Sequence, residues 1–441
     1  SWFDCDKIRF RSGLPEKIGG WTAYSGAVPD GVTRALFNFV ALDDSNYMAV
    51  GTNLRYYIEE GGDLFNITPI RKTSSLGANP IETGAAGSGI VSVSDSNHGA
   101  VVNDFVTLSG ATTTDGVTAA QLNTTHQVVA VTSVSLYTID TGGSASSGST
   151  AGGGSSVTAQ YEINTGLDVG VSGTGWGTST WGRLAWGSSA SAELDDSDRL
   201  RLWSQDSFGE DLIFCVRDGG VYYWDKSDGT SSRAVALSSE SGASDVPTIA
   251  RQVMVSNNDR HVLAFGCNDR GATTQDKLLI RWSDQENAVD WTPTTINTAG
   301  DVRLNNGSEI IAAHETRQEI LVWTDATLNS LRFVGPPFTF GQNVIDGNTS
   351  IIAPNAMASW DEATFWMGNN NFYVYSGRVD TLPCTVKRHI FNDLNVSQKE
   401  KVFAGTNKEF NEIIWFYPSS SSEEIDRYVI FNTESKVWYY I

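Results

Sequence analysis

The chain is short of the residues that carry most enzyme chemistry: five histidines, four cysteines and four methionines among 441 positions. His98, His126, His261, His314 and His389 all stand more than four residues apart, so no pair has the spacing of a helical or hairpin metal site. Cys5, Cys215, Cys267 and Cys384 form no Cys-x-x-Cys pair, and Cys215 and Cys267 sit in apolar runs where a buried free thiol is expected. The Gly-x-Ser-x-Gly elbow and the phosphate-cradling Gly-x4-Gly-Lys-Ser/Thr loop are both missing. No apolar run approaches the roughly 20 residues of a membrane-spanning helix. Positive charge is scarce as well: 30 Lys and Arg face 51 Asp and Glu, for a net charge of −21. That balance argues against a reader of nucleic-acid grooves, which needs clustered cations. No catalytic, metal-binding or cofactor-binding residue is expected from these patterns.

Aromatics and turn residues are abundant, with 14 Trp, 14 Tyr, 19 Phe and 43 Gly. Apolar and aromatic runs broken by Gly, Asn and Asp recur from end to end, while a helical stripe of useful length is hard to find. The reading is an all-β chain. Six hairpin units align: Tyr47 to Ile58, Leu212 to Trp224, His261 to Trp282, Glu319 to Val334, Thr364 to Ser376, and Ile413 to Phe431. From the second unit onward they recur about every 45–55 residues, the size of a propeller blade. Trp224, Trp282, Trp323, Trp366, Trp415 and Trp438 are expected to fill the spaces between blades.

The rhythm breaks between Thr73 and Ala192, where Ser, Thr, Ala and Gly dominate and only Arg183 is basic. Without that stretch the rest divides into six blades of about 53 residues. The expected organisation is therefore a β-propeller of about six blades, formed by residues 1–72 and 193–441. Residues 73–192 are an inserted small β-barrel or sandwich-like module of five or six strands. Its strands are expected at 89–94, 105–109, 127–132 and 136–140, and its low-complexity segment 141–156 reads as a flexible loop. The Gly-rich run 173–187 presents Trp176, Trp181 and Trp186, a possible interaction loop. The acidic run Glu193–Asp198 lacks the glycine and distal Glu of a calcium loop and reads as a solvated boundary. Ser283-Asp-Gln-Glu-Asn-Ala-Val-Asp-Trp291 has the outline of the Ser-x-Asp-x-Gly-x-x-Trp box of sialidase-like propellers, without its Gly and one residue too long.

Three stretches resemble tail nozzle or tail-hub proteins of tailed bacteriophages: Ile8 to Trp21, Ala49 to Tyr57 with Ile67 to Arg71, and the Gly/Trp run 173–187. His98-Gly-Ala-Val-Val-Asn-Asp-Phe-Val-Thr-Leu-Ser-Gly110, Leu122-Asn123 and Gln127-Val-Val-Ala-Val131 are similar to the FCCH-like β module, named from ubiquitin-activating enzymes and recurrent in phage tail proteins. The resemblance implies a structural, non-enzymatic virion protein assembled in the host cytoplasm. Identical copies, six being the expected number, would form a ring around the DNA-ejection channel, between portal or adaptor proteins and the distal tail with its fibres. DNA would pass without specific binding, since an acidic wall repels phosphate. The alternative is a glycan-binding or glycan-cleaving propeller, receptor-binding or sialidase-like.

Overall fold

The computed structural model describes residues 7–11, 13–20, 22–23, 26–170 and 199–440. Six antiparallel sheets, each of four strands consecutive in the chain, make the six blades of a β-propeller. Blade 1 holds Thr33–Val40, Asn46–Thr52, Tyr56–Glu60 and Asp63–Asn66, and blade 2 holds Trp203–Phe208, Asp211–Val216, Val221–Trp224 and Val235–Ala236. Blade 3 spans Gln252–Val255 to Gly300–Arg303, blade 4 Ile310–Glu315 to Thr339–Asp346, blade 5 Met357–Trp360 to Val379–Leu382, and blade 6 Phe403–Asn407 to Trp438–Tyr440. First strands of neighbouring blades touch, which places them innermost. Bonds knit them: Ser204 Oγ and Asp206 accept from Val253 and Val255 N–H, Gln252 exchanges two bonds with Ala313, and His314 pairs with Ser359.

The apolar runs are continuous because a blade is buried on both faces, and strand alternation then sends successive side chains to different neighbours. Leu212, Phe214 and Val216 enter a core shared with blade 1, whereas Ile213 and Cys215 enter one shared with blade 3. Leu263 and Phe265 meet blade 4 in the same way, and Leu321 and Trp323 meet blades 5 and 6. The six expected tryptophans all lie in these cores, Trp323 and Trp366 meeting edge-on at 5.4 Å. Gly51 marks a close approach: a Cβ there would sit 2.6 Å from Cδ1 of Trp203, whose indole N–H donates to Thr52 O at 2.8 Å. Gly61 and Gly62 turn blade 1 with φ of 62° and 99°, the paired positive angles that a tight two-residue hairpin requires.

Blades 6 and 1 differ from the rest. Among the described residues no apolar core unites them. Leu36 and Val40 on the inner strand of blade 1 stay 61% and 55% exposed. The opposing side of blade 6, with Ile414, Tyr428 and Ile430, is covered by an N-terminal hairpin, Ile8–Arg11 paired with Leu14–Lys17. Arg9 of that hairpin reaches Glu412 through two bonds of 2.7 and 3.0 Å and lies over the Phe410 ring.

The inserted module is an eight-stranded sheet running from Ile70–Ser75 to Thr158–Glu162, around a core that includes Ile81, Val93, Leu108, Tyr137 and Tyr161. Its first described strand thus starts three residues ahead of Thr73. The strand count exceeds the expected five or six because Ile81–Thr83 and Ala151–Gly152 are too short to show a period. The segment 141–156 is also more ordered than its composition suggests. Asp115 accepts from Ser147 N–H, Ser147 Oγ and Gly148 N–H at 2.6–2.9 Å, and this gathering of donors, Ser147 Oγ first, pulls its carboxyl down to about 2. The module is rooted through Glu162, which accepts from Arg55, Arg233 and Asn66 where blades 1 and 2 meet.

Candidate functional site at the charged mouth of the propeller

In an antiparallel blade the start of the first strand and the turn between the second and third strands fall at one end. That rule alone collects an ionic cluster on one face of the ring. Arg34, Arg251, Glu309, Glu400 and Lys401 come from the starts of first strands or just ahead of them. Arg217, Asp218, Gln275, Lys277 and Glu424 come from the turns, and Arg199 precedes blade 2.

Asp218 accepts from Arg199 at 3.0 Å, Arg251 at 3.5 Å and Gln275 at 2.9 Å. Arg251 also donates to Glu309 at 2.9 Å, joined there by Lys277 at 3.3 Å. Arg217 Nη2 donates to Glu400 at 2.9 Å and to Leu200 O at 3.1 Å. Burial raises the Asp218 carboxyl, but Arg251, Gln275, Arg217 and Arg199 outweigh it and hold the group below its ordinary value. Glu400 is governed alike: burial raises it, and Arg217, Arg251 and Lys399 bring it down overall. The guanidiniums themselves are under-used. Nε and Nη1 of Arg217 and Nε of Arg251 are buried without a hydrogen-bond partner, although both side chains are only 8% exposed. A few steps round the ring, Arg34 grips Glu424 with bonds of 2.9 and 2.6 Å and donates to Asp168 O at 2.6 Å, while the fully buried Lys401 ammonium donates to Glu424 at 2.7 Å.

Of the mouth carboxyls, Asp218, Glu400 and Glu424 are each held below their ordinary values by the cations around them, the opposite of what a general acid needs. Raised carboxyls lie elsewhere: burial, with Glu315 adding to it, pushes Asp206 up to about 6, and burial raises Glu315 itself, both toward the opposite end, while burial also raises Asp104 inside the inserted module. The sialidase-like outline proves to be a folded turn. Asp284 accepts from Thr298 N–H and Oγ1 at 2.8 and 2.7 Å, Ser283 Oγ accepts from Val262 N–H, and Trp291 is buried, its N–H donating to Ala288 O. Trp176, Trp181 and Trp186 lie outside the described residues, as does the acidic run Glu193–Asp198. No cluster of three or more metal-ligating side chains occurs among the described residues. Sequence reasoning missed the mouth because its members come from blades 1, 2, 3, 4 and 6 and stand in no motif.

A six-bladed β-propeller with a β module inserted between its first two blades is the class that this architecture defines. No family model matches the chain, and no curated protein does either. Among solved structures it is similar to a phage phi92 endosialidase at 10% identity and TM-score 0.22, covering 92% of this chain and 55% of that one. It is also similar to a fungal alcohol oxidase of the AA5 family in complex with copper (10%, TM-score 0.36, 85% of this chain and 67% of that one). A Synechocystis apocarotenoid oxygenase is similar at 6% identity and TM-score 0.32, with 85% and 82% covered. Likenesses this distant carry no activity over to the chain.

Proposed function

We propose that this chain is a structural subunit of a bacteriophage tail, of the nozzle or hub kind. Copies would join in a ring, six being the number expected, around the path of ejected DNA, with portal or adaptor proteins above and fibres outside. The observation that carries the reading is the architecture: a propeller interrupted after its first blade by a β module, at the place where the sequence resembles such tail proteins. The charge of −21 supports passage of DNA without adhesion, because a net negative surface repels the phosphate backbone as a whole. Negative-stain imaging of the purified protein tests this, with rings or tubes around a central hole as the expected result. Isolated monomers, or micromolar binding to duplex DNA at low salt, would count against it.

A second reading, a glycan-binding propeller, is favoured by the arginine-rich mouth, which suits an acidic ligand. Cleavage fits less well. A glycosidase needs one carboxyl held protonated beside the bond to be cut, whereas Asp218, Glu400 and Glu424 are all held ionised. Release of reducing sugar by monomers would favour this reading over the first.

A further inference from the structure

The ionic balance at the mouth is incomplete in a specific way. In the part closed to solvent, Arg217 and Arg251, each 8% exposed, meet one carboxylate, Asp218 at 7%, so one positive charge is left over there, while Arg199, Lys277, Glu309 and Glu400 around them are 25–50% exposed. The unmet donors fall where that surplus lies. Arg217 spends only Nη2, leaving Nε–H and both Nη1 hydrogens without an acceptor, and Arg251 leaves its Nε–H. Buried polar groups are nearly always satisfied, and leaving a buried donor of a charged group unmet costs more than leaving a neutral one. Asp218 and Glu400 each feel both guanidiniums, which places the two side chains around the same carboxylates. The tethering is firm: Arg217 is pinned by Leu200 O and Glu400, and Arg251 by Asp218 and Glu309. What the arrangement lacks is an acceptor with negative charge.

We infer that the mouth of the propeller is an oxyanion-binding site in which Arg217 and Arg251 hold a carboxylate or phosphate group carried by a ligand. The inference goes beyond the tail reading, since a ring subunit needs no such site. A carboxylate and a phosphate share the chemistry that guanidinium recognises, namely several oxygen acceptors around one delocalised negative charge.

Isothermal titration of the full chain with inorganic phosphate and, separately, with glucuronate tests it, with ionic strength held constant by chloride. The expected result is one saturable site per chain for at least one anion, with affinity at least tenfold weaker in Arg217→Met. Arg317→Met, which removes an exposed arginine paired with Glu362 at the opposite end of the blades, should leave the affinity unchanged. Saturation by phosphate alone identifies a phosphate-bearing ligand, and by glucuronate alone a carboxylate-bearing one. Should Arg217→Met fail to fold, Arg251→Lys keeps the charge near Glu309 but removes the idle Nε–H, and the same tenfold loss is expected. Absence of saturable binding for both anions overturns the inference, as does unchanged affinity in whichever of these variants folds. Imaging of rings is independent of this readout, so either reading can fail without the other.

Discussion

Asp206 carries an unfavourable position for the sake of register. Its carboxylate accepts the Ser207 N–H of its own strand and the Val255 N–H, both at 2.9 Å, and the second of these ties the inner strands of blades 2 and 3 together. Burial and the nearby Glu315 nevertheless raise it from 3.8 to about 6. The folded chain therefore binds this proton more tightly than the unfolded one, and between pH 4 and 6 the stability it contributes falls as pH rises. At neutral pH the penalty is about 2 kcal/mol at most once solvent screening is allowed for. Asp206→Asn removes the charge and keeps one acceptor. Relative to the unmodified chain its thermal midpoint should climb steadily from pH 4 to pH 7, and an offset independent of pH would refute the assignment.

At the scale of elements, the attachment of the module rests on Glu162, which is 1% exposed and surrounded by Arg55, Arg233 and Asn66. Replacing it with Gln leaves two guanidiniums poorly paired, a loss of about 3 kcal/mol. Urea unfolding should show that loss, and limited proteolysis should cut first around residues 67–70 and 163–168; an unchanged midpoint would show that apolar contacts alone hold the root. Much at this scale was legible beforehand. Blades announce themselves through two-faced burial, which makes runs such as Leu212 to Val216 wholly apolar, and through turn residues such as Gly61-Gly62. The segment 141–156 departs from its composition because Ser and Gly content describes the free chain, whereas its order comes from distant partners: the Asp115 carboxylate, backbone bonds to residues 83–89, and pairing of Ala151–Gly152 with Ile81–Thr83. The arginine mouth was illegible for a related reason. Arg34, Arg217 and Arg251 are isolated in the sequence, and only the antiparallel rule within each blade brings them to one end.

For the whole molecule, the telling feature is the boundary between blades 6 and 1. Every blade is built from its own consecutive strands, so no strand is shared across that boundary, and the apolar packing that joins the other blades is missing there among the described residues. The clasp of Arg34, Glu424 and Lys401 carries the junction instead. Glu424→Ala strands the buried Lys401 ammonium and should cost about 2 kcal/mol, less than a fully buried pair because Glu424 is half exposed. Amide exchange at residues 33–36 and 402–406 should quicken in this variant, and in the unmodified chain as salt is raised. Exchange that quickens equally at every blade would sink the idea that this junction yields first. Mechanically, the ring is a split washer. Five of its joints resist tension through interlocked side chains, whereas the sixth, among the described residues, resists through ion pairs and a few hydrogen bonds, and the ionic part of its grip depends on the surrounding electrolyte. A load that widens the ring concentrates its strain at one known joint, and the stiffness of the whole circle is set there.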